Sequence, residues 1–295
     1  MTDAIHRHGI GQRLKMIGTY AVLAIWSLLC LFPVYWLFIA SLKGEDLIGG
    51  KPVYVPFVDF QPTLDAWRFI LADPFENLVW RFINSTVVGL LSSALTVAAA
   101  AMAIYSLTRF PRRWRKIAPE WLMSGMLVTR LLPPMVMVLP LYLMTVFTGT
   151  HDTRLALIIV YAAVNLPAAL WLLQPVLGIR ASEQEEAALL EGASHTYILF
   201  GIVLPMALGS LAAVGLLVFI LCWNEYLFAA FLATNHAMTL PGWLMGQLSI
   251  KEAQATAELV EQARLSAACV AAALPLLAMA VIIQRFLARQ SLWRR

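Results

Sequence analysis

Four carboxylates crowd one polar stretch of a very apolar chain: Glu183, Glu185, Glu186 and Glu191, within Arg180–Pro205. Beside them stand Ala187, Ala188 and Gly192. Acids next to residues without bulk suit docking. Small side chains let another protein's surface come close to the helix backbone. As solvated helix charges the acids are worth little to stability. Ser182 with Glu185 three positions later forms a capping box, which predicts the start of a helix. Gly192 supplies a left-handed stop, and Ser194 caps a following helix that runs into Ile198–Leu204. The spacing therefore predicts a short helix, a tight turn and the foot of a long apolar helix. Read alone, the stretch also fits a Glu- and Ala-rich surface loop.

A second set of polar residues lies inside or beside apolar runs: Asn84, Arg130, Asn165, Trp223, Asn224 and Glu225. A charge within a membrane span faces a partner or water, so Arg130 is a candidate for a translocation path. The same residue also fits a structural pair with a carboxylate or with carbonyls freed by Pro133 and Pro134. Trp223-Asn224-Glu225-Tyr226 sets hydrogen-bonding groups beside aromatic rings, a second candidate for such a path. Helix–helix hydrogen bonding is the competing role for each asparagine.

Catalytic patterns are missing. The Gly-Lys pair, Gly50-Lys51, is followed by Pro52 rather than by the Ser or Thr of a phosphate-cradling loop. No G-x-S-x-G or H-E-x-x-H occurs. His195 has no second ligand in view, so no metal site is expected. Cys30, Cys222 and Cys269 all lie in apolar runs, which fits buried thiols better than disulfides.

The elements that position these residues follow from composition. The chain is 61% hydrophobic and 13% charged, with mean hydropathy +0.76. Soluble domains carry about a quarter charged residues, so this is a polytopic membrane protein. Six stretches match the roughly 20 apolar residues that cross a bilayer: Ile17–Leu42, Phe82–Leu107, Ala118–Phe147, Leu155–Leu177, Ile198–Cys222 and Leu265–Leu287. Prolines at 33, 133, 134, 140, 167, 175 and 205 predict kinked, tightly packed helices. With the amino terminus inside, inner segments hold thirteen Lys and Arg and outer segments seven. Both termini and the acidic loop then face the cytoplasm. A short surface helix is expected over Thr63–Ala72, and the outer segments 43–77 and 233–262 face an external partner or interfacial lipid.

Several runs together resemble a known family. Glu186-Ala187-Ala188, Gly192 four residues on and Leu204-Pro205 are similar to the cytoplasmic loop signature of ABC importer membrane subunits. FPVYWLFIASLK, TRLLPPMVMVLPLYL, DTRLALIIVYAAVNLPAALWLL, WNEYLFAAFLAT and ALPLLAMAVIIQRFLARQ, in this order, resemble the smaller membrane subunit of maltose-type sugar importers. Glu191 stands where aspartate is usual, Gly209 where proline is frequent, and the tail after Gln290 lacks a glycine-rich ending. The resemblance implies an all-α integral membrane fold of six transmembrane helices. A cytoplasmic coupling helix lies between spans four and five, in a loop over 180–205. It implies a tail over 1–16, a permease domain over 17–290 and a tail over 291–295, in a bacterial inner membrane. Glu183, Glu186, Ala187, Ala188, Glu191 and Gly192 would dock on a separate ATPase, and ATP and magnesium would bind there, with no cofactor in this chain. A homologous second permease subunit, an external solute-binding protein, a carbohydrate and membrane lipid complete the expected partners, with no nucleic acid. The alternatives are a non-sugar solute, or an intramembrane lipid-modifying enzyme.

Overall fold

The structure, a computed structural model, describes residues 2–44, 54–72, 78–110, 125–178, 183–253 and 259–292. Arg180, Ser182, Gly50-Lys51, the basic run 112–116 and the start of the expected third span lie outside them. Helices account for nearly all of what is described: α1 Thr2–Ala40, α2 Asp65–Ala72, α3 Leu78–Arg109, α4 Gly125–Leu131, α5 Pro134–Phe147 and α6 Arg154–Leu177. They continue with α7 Glu183–Leu190, α8 His195–Trp223, α9 Leu227–Leu232, α10 Leu240–Ala253 and α11 Leu259–Leu292. Five are long and apolar enough to cross a membrane, and six if α4 and α5 form one broken span.

The chain divides into two compact units, residues 1–76 with 254–273, and residues 77–253 with 274–295. In the first, α1 is one continuous helix that carries the expected first span and extends back through the expected tail to Thr2. The predicted surface helix is α2, and the Arg264 guanidinium of α11 lies 3.5 Å from the Phe69 ring centroid.

In the second unit α3 is the central element, packed against both α6 and α8. Its sequence explains why. Gly89, Ser93, Thr96 and Ala100 recur at the three- and four-residue spacing of one helix face, and small residues let membrane helices approach. A Cβ on Gly89 would come 3.0 Å from the Phe219 ring of α8. The Ser92 and Thr96 hydroxyls donate to the Ile158 and Ala162 carbonyls of α6 at 3.3 and 3.4 Å. Val88, Ile104, Leu157, Leu173 and Val218 fill the shared core at 0% exposure.

Pro33, Pro140, Pro167 and Pro175 lie inside uninterrupted helices, and two other proline sites reshape the chain. The third apolar stretch is no single kinked helix: α4 and α5 meet at 96° across Leu132-Pro133. Two consecutive prolines remove two donors, and the residue before a proline is pushed out of helical geometry; Leu132 sits at ψ 133 accordingly. In α8 the strain is absorbed otherwise. Pro205 would press its ring on the Gly201 carbonyl in a regular helix. The turn Ile198–Val203 is instead widened to π geometry, with the Leu204 N–H reaching back five residues to Leu199.

Candidate functional site: the acidic helix and the bundle around it

The short helix and its turn form as the local sequence predicts. At the end of α7, Gly192 adopts φ +86, its N–H donates to the Leu189 carbonyl at 3.1 Å, and the Ala193 N–H donates to Ala188 at 2.9 Å. This paired arrangement satisfies two otherwise orphaned carbonyls. Ser194 then accepts from the Tyr197 N–H at 3.2 Å and starts α8. Helix, stop and cap occupy the twelve residues from Glu183 to Ser194.

The faces of α7 divide sharply. Glu183, Glu186, Ala187 and Glu191 are exposed, and Leu190 is 90% exposed. Ala188 is half-buried and packs with Ala193 against the core. Glu185 alone among the acids turns inward, 5% exposed. Its two carboxylate oxygens accept from Arg109, Nε at 2.9 Å and Nη2 at 2.8 Å. A bidentate guanidinium–carboxylate pair is short, strong and geometrically specific. The sequence marked Glu185 as a capping residue and gave no sign of this partner. Arg109 also donates to the Leu177 carbonyl at the end of α6, at 3.5 Å, and its guanidinium lies 5.6 Å from the Tyr105 ring centroid. Tyr105 in turn lies 3.4 Å from His195 Nδ1, across the turn from α7. Among the described residues no group of three or more His, Cys, Asp or Glu side chains is arranged to hold a metal ion.

The candidate path residues separate into different settings. Arg130, at the end of α4, donates to the Asn165 carboxamide oxygen, while Asn165 Nδ2 donates to the Tyr161 carbonyl at 2.9 Å. Arg130, Thr129, Pro134, Met137 and Val164 line a cavity of about 140 Å³. Trp223 is 2% exposed, edge-on to Phe82 at 5.4 Å and stacked with Phe219 at 5.7 Å. Its ring therefore faces other rings in this conformation. Asn224 donates to the Ile220 carbonyl of its own helix at 2.9 Å. The Glu225 carboxylate accepts from the N–H groups of Leu227, Phe228 and Ala229 and so opens α9.

Asn84 is fully buried at the opposite end of the bundle. Its amide nitrogen donates to the carbonyls of His236 and Met238 at 2.8 and 3.0 Å, and its oxygen accepts from Arg154 at 2.7 Å. The same loop is gripped by Asp152, which sequence reasoning passed over. Its carboxylate accepts from the backbone N–H groups of Thr234, Asn235, His236 and Ala237 at 3.0 to 3.2 Å. Burial pushes the Asp152 carboxyl up, and these donors outweigh it, holding the group below its ordinary value.

Long apolar helices, a broken span and polar pairs held within the bundle define the class among the described residues: an all-α integral membrane protein. Residues 96–291 match the family described as the inner membrane component of binding-protein-dependent transport systems. The chain belongs to that family, whose members are permease subunits of ABC importers in the inner membrane and are transport components rather than enzymes. It is 32% identical over 259 residues to a probable ABC transporter permease protein of Sinorhizobium fredii, covering 87% of each chain. It is 28% identical over 264 residues to a trehalose/maltose transport system permease protein of Thermococcus litoralis, covering 89% of this chain and 90% of that one. The fold is shared with a crystal structure of a bacterial ABC transporter involved in alginate import, at TM-score 0.74 and 20% identity over 92% of this chain and 96% of the other.

Proposed function

We propose that this chain forms half of the translocation path for a carbohydrate, and that α7 couples it to ATP hydrolysis in a separate subunit. The outward face of α7 carries the proposal: Glu183, Glu186, Ala187, Leu190 and Glu191 are exposed on a helix whose opposite side is tied to the bundle. That face offers carboxylates, small residues and one protruding leucine to a cleft lined by cations. A second permease subunit completes the path, two ATPase subunits bind ATP and magnesium, and an external binding protein delivers the solute. Both chain termini and α7 face the cytoplasm. Differential affinity of ATP for one conformation is what shifts the bundle between inward and outward access. Arg130 and Asn165, beside the cavity at the break between α4 and α5, are the path residues this reading retains.

The carbohydrate assignment rests on the relative named for trehalose and maltose. Two measurements test the proposal. Purified with its co-encoded subunits, the wild-type chain brings down an ATPase, and Glu186→Lys loses it while still inserting; retention of full solute-dependent hydrolysis by Glu186→Lys sinks the docking assignment. The external binding protein is then screened by thermal shift against oligosaccharides, polyols and amino acids. Stabilisation by amino acids alone sinks the cargo assignment and leaves the importer role standing.

A further inference from the structure

The buried ion pair at the inner end of α7 has a consequence beyond holding a helix in place. We propose that Arg109 and Glu185 are the positioning residues through which displacement of α7 reaches α3, an inference that rests on the docking role of α7 above. Chain connectivity already joins α7 to α8 by the turn at Gly192–Ser194, where Ala188 and Ala193 pack on the core. No such covalent route leads to α3, whose end lies 76 residues from Glu185 in sequence. The pair supplies that route. Both Arg109 side-chain contacts to Glu185 are below 3 Å, and the two side chains are 10% and 7% exposed.

Position within the fold makes the link consequential. Arg109 is the last residue of α3, and α3 packs against both α6 and α8. The same guanidinium contacts the last residue of α6 through the Leu177 carbonyl. One cation therefore gathers the inner ends of α3, α6 and α7. The pair has two short hydrogen bonds and little solvent to compete, so it resists shear and separation more than a single contact does. A push on the outward face of α7 then moves α3 and α8 together. Without the pair, the turn would drive α8 and leave α3 to follow by packing alone. Glu185 and Glu186 thus have opposite tasks on adjacent positions: Glu186 faces the partner, and Glu185 faces the bundle.

The test uses the chain purified with the ATPase subunits it brings down, in lipid nanodiscs, followed by hydrogen–deuterium exchange. In the wild type, ATP with vanadate is expected to alter deuterium uptake in peptides from both α3 and α8. In Glu185→Gln the ATPase still binds and the α8 response persists, while the α3 response is lost. The exchanged pair R109E/E185R, which restores an ion pair in reverse, regains the α3 response. A purely architectural role predicts instead that α3 and α8 responses fall in proportion. The proposal is overturned if α3 responds normally in Glu185→Gln, or if the exchanged pair inserts and binds ATPase with α3 still silent. If no ATPase accompanies even the wild-type chain, the docking reading and this inference fall together. If ATPase binds and α3 ignores the substitution, only the role of the pair is lost.

Discussion

Gly192 sits at φ +86, and a Cβ built on it would meet nothing within 4 Å. A substitution there is therefore opposed by backbone conformation and not by crowding. Left-handed geometry costs an ordinary L-residue about 1–2 kcal/mol, more for a β-branched one and less for asparagine. Gly192→Asn should keep solute-stimulated ATP hydrolysis near wild type, whereas Gly192→Val should reduce it severalfold with insertion intact. Equal activity of the two variants, measured in reconstituted complexes, would argue that the turn is not shape-critical. At the other end of the bundle, Asp152 holds four consecutive residues of the loop after α9 by their N–H groups. Asp152→Ala should free that loop at a cost of about 2 kcal/mol, the scale of hydrogen bonds to a charged acceptor discounted for partial exposure. The sign of its pH dependence follows from the folded carboxyl lying below its ordinary 3.8. The stabilisation is fully present above that value and fades as pH falls through the lower folded one. Protection factors of amides 234–237, corrected for intrinsic exchange, should hold above that ordinary value and fall as pH drops below it. In Asp152→Asn they should not follow this course.

Elements differ in how far they could be read from the chain. The helix, stop and cap at Glu183–Tyr197 were legible because every contact that makes them spans five residues or fewer. Removing the cap with Ser194→Ala should weaken the start of α8 by about 1 kcal/mol, seen as faster exchange of the Tyr197 amide, and Ser194→Asp should restore it. The spans were legible too, since bilayer thickness sets their length. The right angle between α4 and α5 was not: two prolines announce a break, and only packing decides its angle. Long-range pairs were the least legible. Arg109 and Glu185 stand 76 positions apart, and Asp152 stands 82 or more from the loop it grips. Each residue type alone reads as a surface charge. Trp223, Asn224 and Glu225 are adjacent in sequence, which suggested one binding surface. Helical geometry instead sends neighbouring side chains in different directions, and Trp223 packs into a cluster of rings.

For the whole molecule, the proposed orientation makes a prediction that needs no cargo. α8 joins the two regions just discussed, beginning beside the α7 turn and ending before the gripped loop. Its 29 residues span roughly 40 Å at 1.5 Å per residue, enough to cross a bilayer. A cysteine at Leu190, 90% exposed, should react with a membrane-impermeant maleimide in inside-out vesicles and not in intact cells. A cysteine at exposed Asn235 should do the opposite. Labelling of both positions from one side would end the six-span arrangement and the cytoplasmic docking of α7 with it. The burial of the spans adds a second expectation. α3 and α6 are 44% and 50% buried over their apolar windows, and α1 is 6%. Leu-to-Ala changes in the shared core, such as Leu157→Ala or Leu173→Ala, should lower thermal stability of the purified chain by about 2–5 kcal/mol. The same change at Leu29 of α1, 63% exposed, should leave it nearly unaltered.

The wide turn at Ile198–Val203 winds one surplus residue into the foot of α8. A helix that carries a spare residue at its base has slack that a regular one lacks. Deleting a single amino acid between 198 and 203, together with Pro205→Ala to remove the ring that a regular turn would press upon, should let the base close to ordinary pitch while every side chain from Met206 to Trp223 keeps its neighbours. Deleting one residue higher up, beside Gly215, would turn the whole upper helix by about 100° and scramble its packing. Tolerance to shortening should therefore be confined to the segment just above the docking turn.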